Sequence, residues 1–170
     1  MNTVMNSPFH TGEQFIQNKL GVRERMERFG QQVIRDYLPQ EHRDFYQQLP
    51  YVFAGHADSQ GWPWASMLFN SQSLMVSPHP ESLKVNAKPV NGDPLQASLS
   101  EGLKIGLLGI ELETRRRNRV SAHIEGMSDA GITLGIDQAF GNCPQYIQPR
   151  TLSWVEGVSV EQTAVEKITA

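Results

Sequence analysis

The chain has 170 residues, a formal net charge of −3 and a sequence pI near 5.9. Its length suffices for one well-cored domain. The acidic balance argues against a general nucleic-acid binder, since such domains carry a basic surplus that displaces phosphate counterions.

The cysteine content and the hydropathy restrict the cellular setting. The single cysteine, Cys143, excludes an intrachain disulfide and a thiolate-only zinc site, as is typical of a reducing compartment. No apolar run reaches the roughly 20 residues that span a bilayer. The first ten residues lack the basic start and apolar core of a signal peptide. We therefore expect a cytoplasmic protein with no membrane partner.

The first fifty residues predict short helices. Apolar residues recur at helical spacing in 11–21 and again in 26–38. Proline at the start of 39–50 suits the first turn of a third helix, and proline at its end stops it. We interpret 1–50 as a helical cap packed on the domain that follows.

Residues 51–156 predict an antiparallel domain of short strands. Segments with strand character, separated by turn residues, are 51–57, 62–70, 74–77, 83–85, 105–112, 120–124 and 132–136. A brief helix is expected after Asp93. The segment 105–112 is nearly all apolar, as in a strand covered on both faces, whereas the last two alternate as half-buried strands do. Such short, Gly- and Pro-punctuated strands favour a barrel over a parallel α/β sheet.

The end of the chain changes character after Arg150. Residues 151–155 predict one more strand, and 157–170 predict a linker or C-terminal tail. We find neither an internal repeat nor a low-complexity segment.

A basic cluster lies in a predicted connection between two strands. Its members are Arg115, Arg116, Arg117, Asn118 and Arg119. Guanidinium groups offer forked donors that match phosphate oxygens, so two or three converging here would hold the phosphate of a mononucleotide. The alternative is a solvated basic turn paired with nearby glutamates.

A second candidate is the loop with the sequence FGNCPQYI. Its candidate binding residues are Asn142, Cys143, Pro144, Gln145 and Tyr146. Gly141 permits unusual backbone conformations, and the amides offer donors and acceptors, so the loop is suited to wrap a ring system or a partner subunit. A nucleophilic role for Cys143 is disfavoured, because no histidine lies near it in sequence to generate a thiolate.

Several stretches together resemble pyridoxamine 5′-phosphate oxidase-related, flavin-nucleotide-binding proteins. They are RRRNR at 115–119, FGNCPQYIQ at 140–148, SPFHTGEQ at 7–14, VRERM at 22–26, GWPWAS at 61–66 and GLLGIE at 106–111. The resemblance spans residues 7–150. It implies an α+β, mainly β fold: an antiparallel split β-barrel, usually homodimeric, with FMN at the subunit interface.

The resemblance also implies cofactor contacts. Residues expected along the flavin ring are Trp64, Ala65, Ser66 and Met67, although tryptophans here also suit the barrel mouth. Ser77 is a weaker candidate for a phosphate or ribityl contact. The arginines most suited to the phosphate are Arg116, Arg117 and Arg119, beside Asn118. No metal site or catalytic set is evident, since the histidines and carboxylates show no recognised spacing.

The leading hypothesis is an FMN-binding protein that acts as an oxidoreductase of unspecified substrate, with a nicotinamide or another small molecule as electron donor. In such proteins the cofactor carries the chemistry. Pyridoxamine phosphate oxidation is disfavoured, because the Arg/His substrate motif of those oxidases has no counterpart after Arg150. The alternative is a non-catalytic barrel half that serves dimerisation or docking, since related proteins continue into a second, similar half. Nucleic-acid binding ranks last on charge.

Overall fold

The structure, a computed structural model, describes residues 7–155. The predicted linker or tail at 157–170 lies outside the described residues. Within the described range no helix is long and apolar enough to cross a bilayer.

Four helices occur in the described residues: α1 Thr11–Lys19, α2 Arg23–Val33, α3 Gln40–Gln48 and α4 Pro94–Ser98. The first three precede the sheet, as predicted. A capping box at His10 starts α1: its Nδ1 accepts a hydrogen bond from the Glu13 backbone N–H at 3.3 Å, and the Glu13 carboxylate accepts one from the His10 N–H at 2.9 Å.

The second helix is shorter than its apolar periodicity predicts. It ends at Val33, and Arg35 instead pairs with Ala139 of the sheet through N–H···O bonds of 3.0 and 2.7 Å. Leu38 is fully buried, but as part of the connection to α3. The backbone of Arg35 therefore pairs with the sheet and does not continue the helix. Leu38 is a core residue, as the helical pattern also predicted.

Seven strands form one antiparallel sheet in the described part of the chain. They are β1 Tyr51–Ala57, β2 Pro63–Phe69, β3 Met75–Val76, β4 Ser82–Val85, β5 Lys104–Glu111, β6 Arg116–Ser128 and β7 Gly131–Gly141. Their order is β2-β1-β5-β6-β7-β4-β3. The edge strands β2 and β3 do not pair with each other, so the sheet is open. One side-chain bond, from Asn70 Nδ2 to the Asn86 carbonyl at 2.7 Å, links the segments that follow β2 and β4.

A single hydrophobic core fills the inner side of the sheet. Both edges contribute to it, with Leu68 from β2 and Met75 from β3. Phe45 and Tyr46 of α3 are fully buried in the same cluster, whereas α1 buries no residue. Because opposite edges share one core, the sheet curves around it. The predicted mainly β, antiparallel and barrel-like fold with an N-terminal helical segment is confirmed, with α3 as the helix that closes the core.

Two strand predictions need correction. Only one face of β5 is fully buried: Ile105 and Leu107 point into the core, whereas Gly106 is exposed and Leu108 is half-buried. Residues 151–155 form no strand. Instead, Trp154 lies on the side of the sheet away from the core, with its ring centroid 6.5 Å from that of Phe69.

The contact between α3 and β5 depends on a residue without a side chain. A Cβ built on Gly109 would lie 2.8 Å from side-chain atoms of Leu49, Phe45 and Tyr46. All three neighbours are buried and have little room to move.

We expect Gly109→Ala to destabilise the protein by about 1–3 kcal/mol, because overpacking a filled core forces side chains off their preferred rotamers. Denaturant unfolding followed by circular dichroism measures this. The matched control is Gly126→Ala in β6, where an added Cβ meets nothing within 4 Å. Equal stability of the two variants would contradict the proposed packing.

Candidate functional site

The basic cluster and the FGNCPQYI segment meet at one end of the β6–β7 pair. Asn118 pairs with Gly141 in the strand register. The Asn142 backbone N–H donates to the Arg117 carbonyl at 2.8 Å, and the Arg117 guanidinium donates to the Cys143 carbonyl at 2.6 Å. Two segments that are separate in sequence are thus in contact.

The basic cluster is mostly strand, which corrects the predicted connection. Strand β6 begins at Arg116, so only Arg115 remains in the turn, where it adopts a left-handed φ of 61°. Because strand side chains alternate between faces, the cluster is divided between the two sides of the sheet.

The inner-facing members of the cluster are engaged by the protein itself. Arg116 donates to Glu41 at 3.2 Å and lies over the Phe45 ring at 5.1 Å. Asn118 is buried. Arg116 therefore ties α3 to the sheet, and neither side chain lies on the outer face.

The outer-facing members are Arg117 and Arg119. The Arg117 guanidinium donates to the Cys143 carbonyl, but in the described part of the chain its Nε–H is buried without a hydrogen-bond partner, and so is the Oδ1 atom of Asn142. A buried unpaired donor or acceptor costs about 1–3 kcal/mol and marks a place where water or a ligand completes the bonding. Within residues 7–155 the Arg119 guanidinium has no ion pair or hydrogen bond, and Arg119 is exposed.

Strand β2 divides its candidate residues in the same way. Ser66 is buried and donates to Asp93 Oδ1 at 2.6 Å. Trp64 lies opposite the buried His56, and its Nε1–H donates to Asp58 Oδ2 at 2.8 Å. This hydrogen bond, with those from backbone N–H groups, lowers the pKa of Asp58 below its ordinary value. Ser66 therefore lies on the inner face and Trp64 at the rim of the sheet, and neither lies on the outer face.

Ala65 and Met67 lie on the outer face, in two rows that cross four strands. The first, here the apolar row, consists of Met67, Phe53 and Leu108 and leads to Arg119 on β6, which pairs in turn with Phe140 of β7. Residues paired across strands share a face. With strand spacings of about 4.8 Å, the row is about 14 Å long.

The second row lies beside the first. This small-residue row consists of Ala65, Gly55, Gly106 and Ser121, all of them exposed. A Cβ added at Gly55 or Gly106 meets no atom nearer than 3.9 Å. The outer face thus has a flat strip bordered by a row of apolar side chains, with Arg119 next to Leu108.

The remaining candidates lie apart from these rows. Ser77 follows β3, at the opposite edge of the strand order from β2, and its Oγ accepts from Arg43 Nε at 3.0 Å. The structure does not bring it to the outer face. Gln145 and Pro144 are exposed in the loop after β7, next to Cys143. Tyr146 is 92% exposed with a φ of 71°.

Sequence reasoning missed a polar group farther along the outer face. His123 Nδ1 lies 2.9 Å from Asp137 Oδ1, and Lys104 Nζ donates to Asp137 Oδ2 at 2.8 Å. Burial raises the pKa of Asp137, but the hydrogen bonds and positive charges of Lys104 and His123 outweigh it, and the net pKa is lowered. The alternation of β6 predicts that His123, next to the buried Ala122, lies on the outer face. Its partner Asp137 lies 14 residues away in the sequence, so no local sequence pattern predicts that the two side chains meet.

In the described residues no group of three or more His, Cys, Asp or Glu side chains is placed to hold a metal ion. No protein-family model matches the chain, and no curated protein matches it. The crystal structure of a tagged HupZ variant from Group A Streptococcus aligns with a TM-score of 0.47 and 12% identity, covering 62% of this chain and 99% of that chain.

We expect Asp137→Asn to lower stability by up to about 1 kcal/mol at neutral pH, as for a partly exposed ion pair. The pKa of Asp137 is lowered in the folded state, so its contribution is present above the unfolded pKa and is lost as the pH falls through the folded value. The difference in unfolding free energy between the two proteins should therefore begin to shrink as the pH falls below about 4. A difference that persists unchanged at pH 3 would contradict this assignment.

Proposed function

We propose that this protein binds FMN on the outer face of the sheet and acts as a flavin-dependent oxidoreductase with a nicotinamide or other small-molecule electron donor. The observation that carries the proposal is the position of Arg119. Arg119 is exposed, its guanidinium has no hydrogen bond or ion pair within residues 7–155, and it lies next to Leu108 of the apolar row.

The shape of the outer face supports this proposal. The small-residue row offers a flat floor, and the apolar row offers a wall for one edge of a planar ring. The length of about 14 Å suits a ring system with a charged tail. The motifs that resemble flavin-nucleotide-binding proteins include Ala65, Gly106 and Arg119, which lie on this face.

The polar groups present fit a flavin nucleotide. Arg119, with Arg117 two residues away on the same face, would hold the phosphate, since guanidinium donors match its oxygens. The unpaired Arg117 Nε–H and Asn142 Oδ1 are a donor and an acceptor of the kind that a flavin ring edge complements. Bound FMN supplies hydride or electron transfer. The residues of this chain bind and orient it.

A second candidate function has its own observation. Arg116 and Arg117 already hold Glu41 and the Cys143 carbonyl, and the apolar row is partly exposed. A barrel that carries no cofactor and uses the outer face to dock a second copy or another domain also fits these facts. Both candidates include a homodimer.

Sedimentation with and without FMN, together with the visible spectrum of the purified protein, separates the two candidate functions. Flavin absorption supports the first, and a colourless dimer with no thermal shift in FMN supports the second.

We expect Arg119→Ala to weaken FMN binding at least 10-fold while leaving riboflavin binding unchanged, because riboflavin lacks the phosphate; a charge-assisted hydrogen bond is worth about 1.5–3 kcal/mol. Flavin fluorescence titration measures both affinities. Arg116→Ala is the matched control, since this arginine serves α3. Equal losses for the two flavins, or for the two arginine variants, would remove the assigned phosphate role.

We expect Gly106→Leu to abolish binding of both flavins, because its side chain would stand on the flat floor where the ring is proposed to lie. An added Cβ at this position has free space around it, so the fold should be preserved, which circular dichroism checks. Gly126→Leu is the control, at another open strand position. Undiminished flavin affinity of the Gly106→Leu variant would contradict the proposed position of the flavin ring on the small-residue row.

A further inference from the structure

An apolar cleft of about 430 Å³ lies between the segment after Arg150 and the outer face of β1 and β2. Its floor is Tyr51, Phe53, Met67 and Phe69, and Leu152 with Trp154 form the opposite wall. The aromatic contact between Phe69 and Trp154 holds one end of the cleft together. This cleft differs from the small-residue row, although Phe53 and Met67 border both.

The lining defines the charge of an occupant. No Asp, Glu, Lys, Arg or His contributes to the cleft. Burying an unpaired charge there would be strongly unfavourable. The Tyr51 hydroxyl is already engaged, since it donates to the Ile110 carbonyl at 2.9 Å. Ser153 supplies a hydroxyl that has no hydrogen bond within the described residues, so one polar atom of an otherwise apolar ligand would find a partner.

The size defines the kind of occupant. The volume falls in the range of small-molecule pockets, about 300–1,000 Å³, and is too small for a packed helix, which is about 10 Å across. Aromatic rings and a methionine on the floor favour a planar aromatic ligand, because ring pairs and sulfur–ring contacts add to the apolar burial.

We propose that this cleft is a binding site for a small, uncharged aromatic molecule of about two or three fused or linked rings, with Trp154 as one of its walls. Binding there does not require FMN. If FMN binds on the outer face as proposed above, the cleft would adjoin it through Phe53 and Met67. The molecule bound in the cleft would then be a candidate redox partner of the flavin; this part of the inference rests on the proposed function.

The test uses a matched pair of fluorescent probes, N-phenyl-1-naphthylamine, which is uncharged, and 8-anilinonaphthalene-1-sulfonate, which has the same rings and a negative charge. The protein carries Trp62→Phe and Trp64→Phe, so that Trp154 is the remaining tryptophan of the three. We expect saturable energy transfer from Trp154 to the uncharged probe with one site per chain, and at least 10-fold weaker binding of the sulfonate.

Phe69→Asp puts a charge on the cleft floor. This variant should bind the uncharged probe at least 10-fold more weakly. Phe15→Asp on α1, an exposed phenylalanine that does not line the cleft, is the control and should leave the affinity for the probe unchanged. Non-saturable transfer, equal binding of the two probes, or no effect of Phe69→Asp would overturn the proposal. So would probe affinity that falls as the chain dimerises, because a second copy would then cover this face. FMN binding is measured separately by its own absorption, so its failure leaves this result intact.

Discussion

The register of β5 between β1 and β6 is the constraint on which the rest of this structure depends. Ile105 and Leu107 enter the core opposite Ala122 and Val120, and a slip of one residue would turn every one of these side chains to water. The same alternation then places Gly106, Leu108 and their partners on the outer face. The apolar core therefore determines the composition of the candidate site, although it contains none of the site residues.

The arginines of RRRNR illustrate how one alternation produces different roles. Arg116 lies on the inner side, where it meets Glu41 and the Phe45 ring. An exposed ion pair contributes at most about 1 kcal/mol, whereas burying Phe45 contributes about 1.5–3 kcal/mol, so α3 is held chiefly by its apolar face. Arg117 anchors the segment after β7, and Arg119 has no side-chain partner among residues 7–155. Residue type alone does not separate these three roles.

The two proposed sites share a wall. Phe53 and Met67 belong to the apolar row and also to the cleft floor, so occupation of one site changes the surface of the other. If the outer face also mediates self-association, as the resemblance implies, then cofactor, small ligand and second copy are linked through these two side chains. A contiguous group of exposed apolar side chains such as this one is typical of a surface that binds a ligand or another protein.

The sequence by itself determined most of the strands and the faces of 120–124 and 132–136, because period-two alternation and the Gly and Pro residues between strands are local properties. It also identified Arg119, Ala65 and Met67 as candidates, and it brought RRRNR and FGNCPQYI together as one hypothesis. Only the tertiary structure decided which candidates share a face, that α2 ends where Arg35 pairs with Ala139, and that His123 meets Asp137. These depend on pairing between distant segments, and the energy that fixes such pairing comes from the shared core, which no local pattern in the sequence contains.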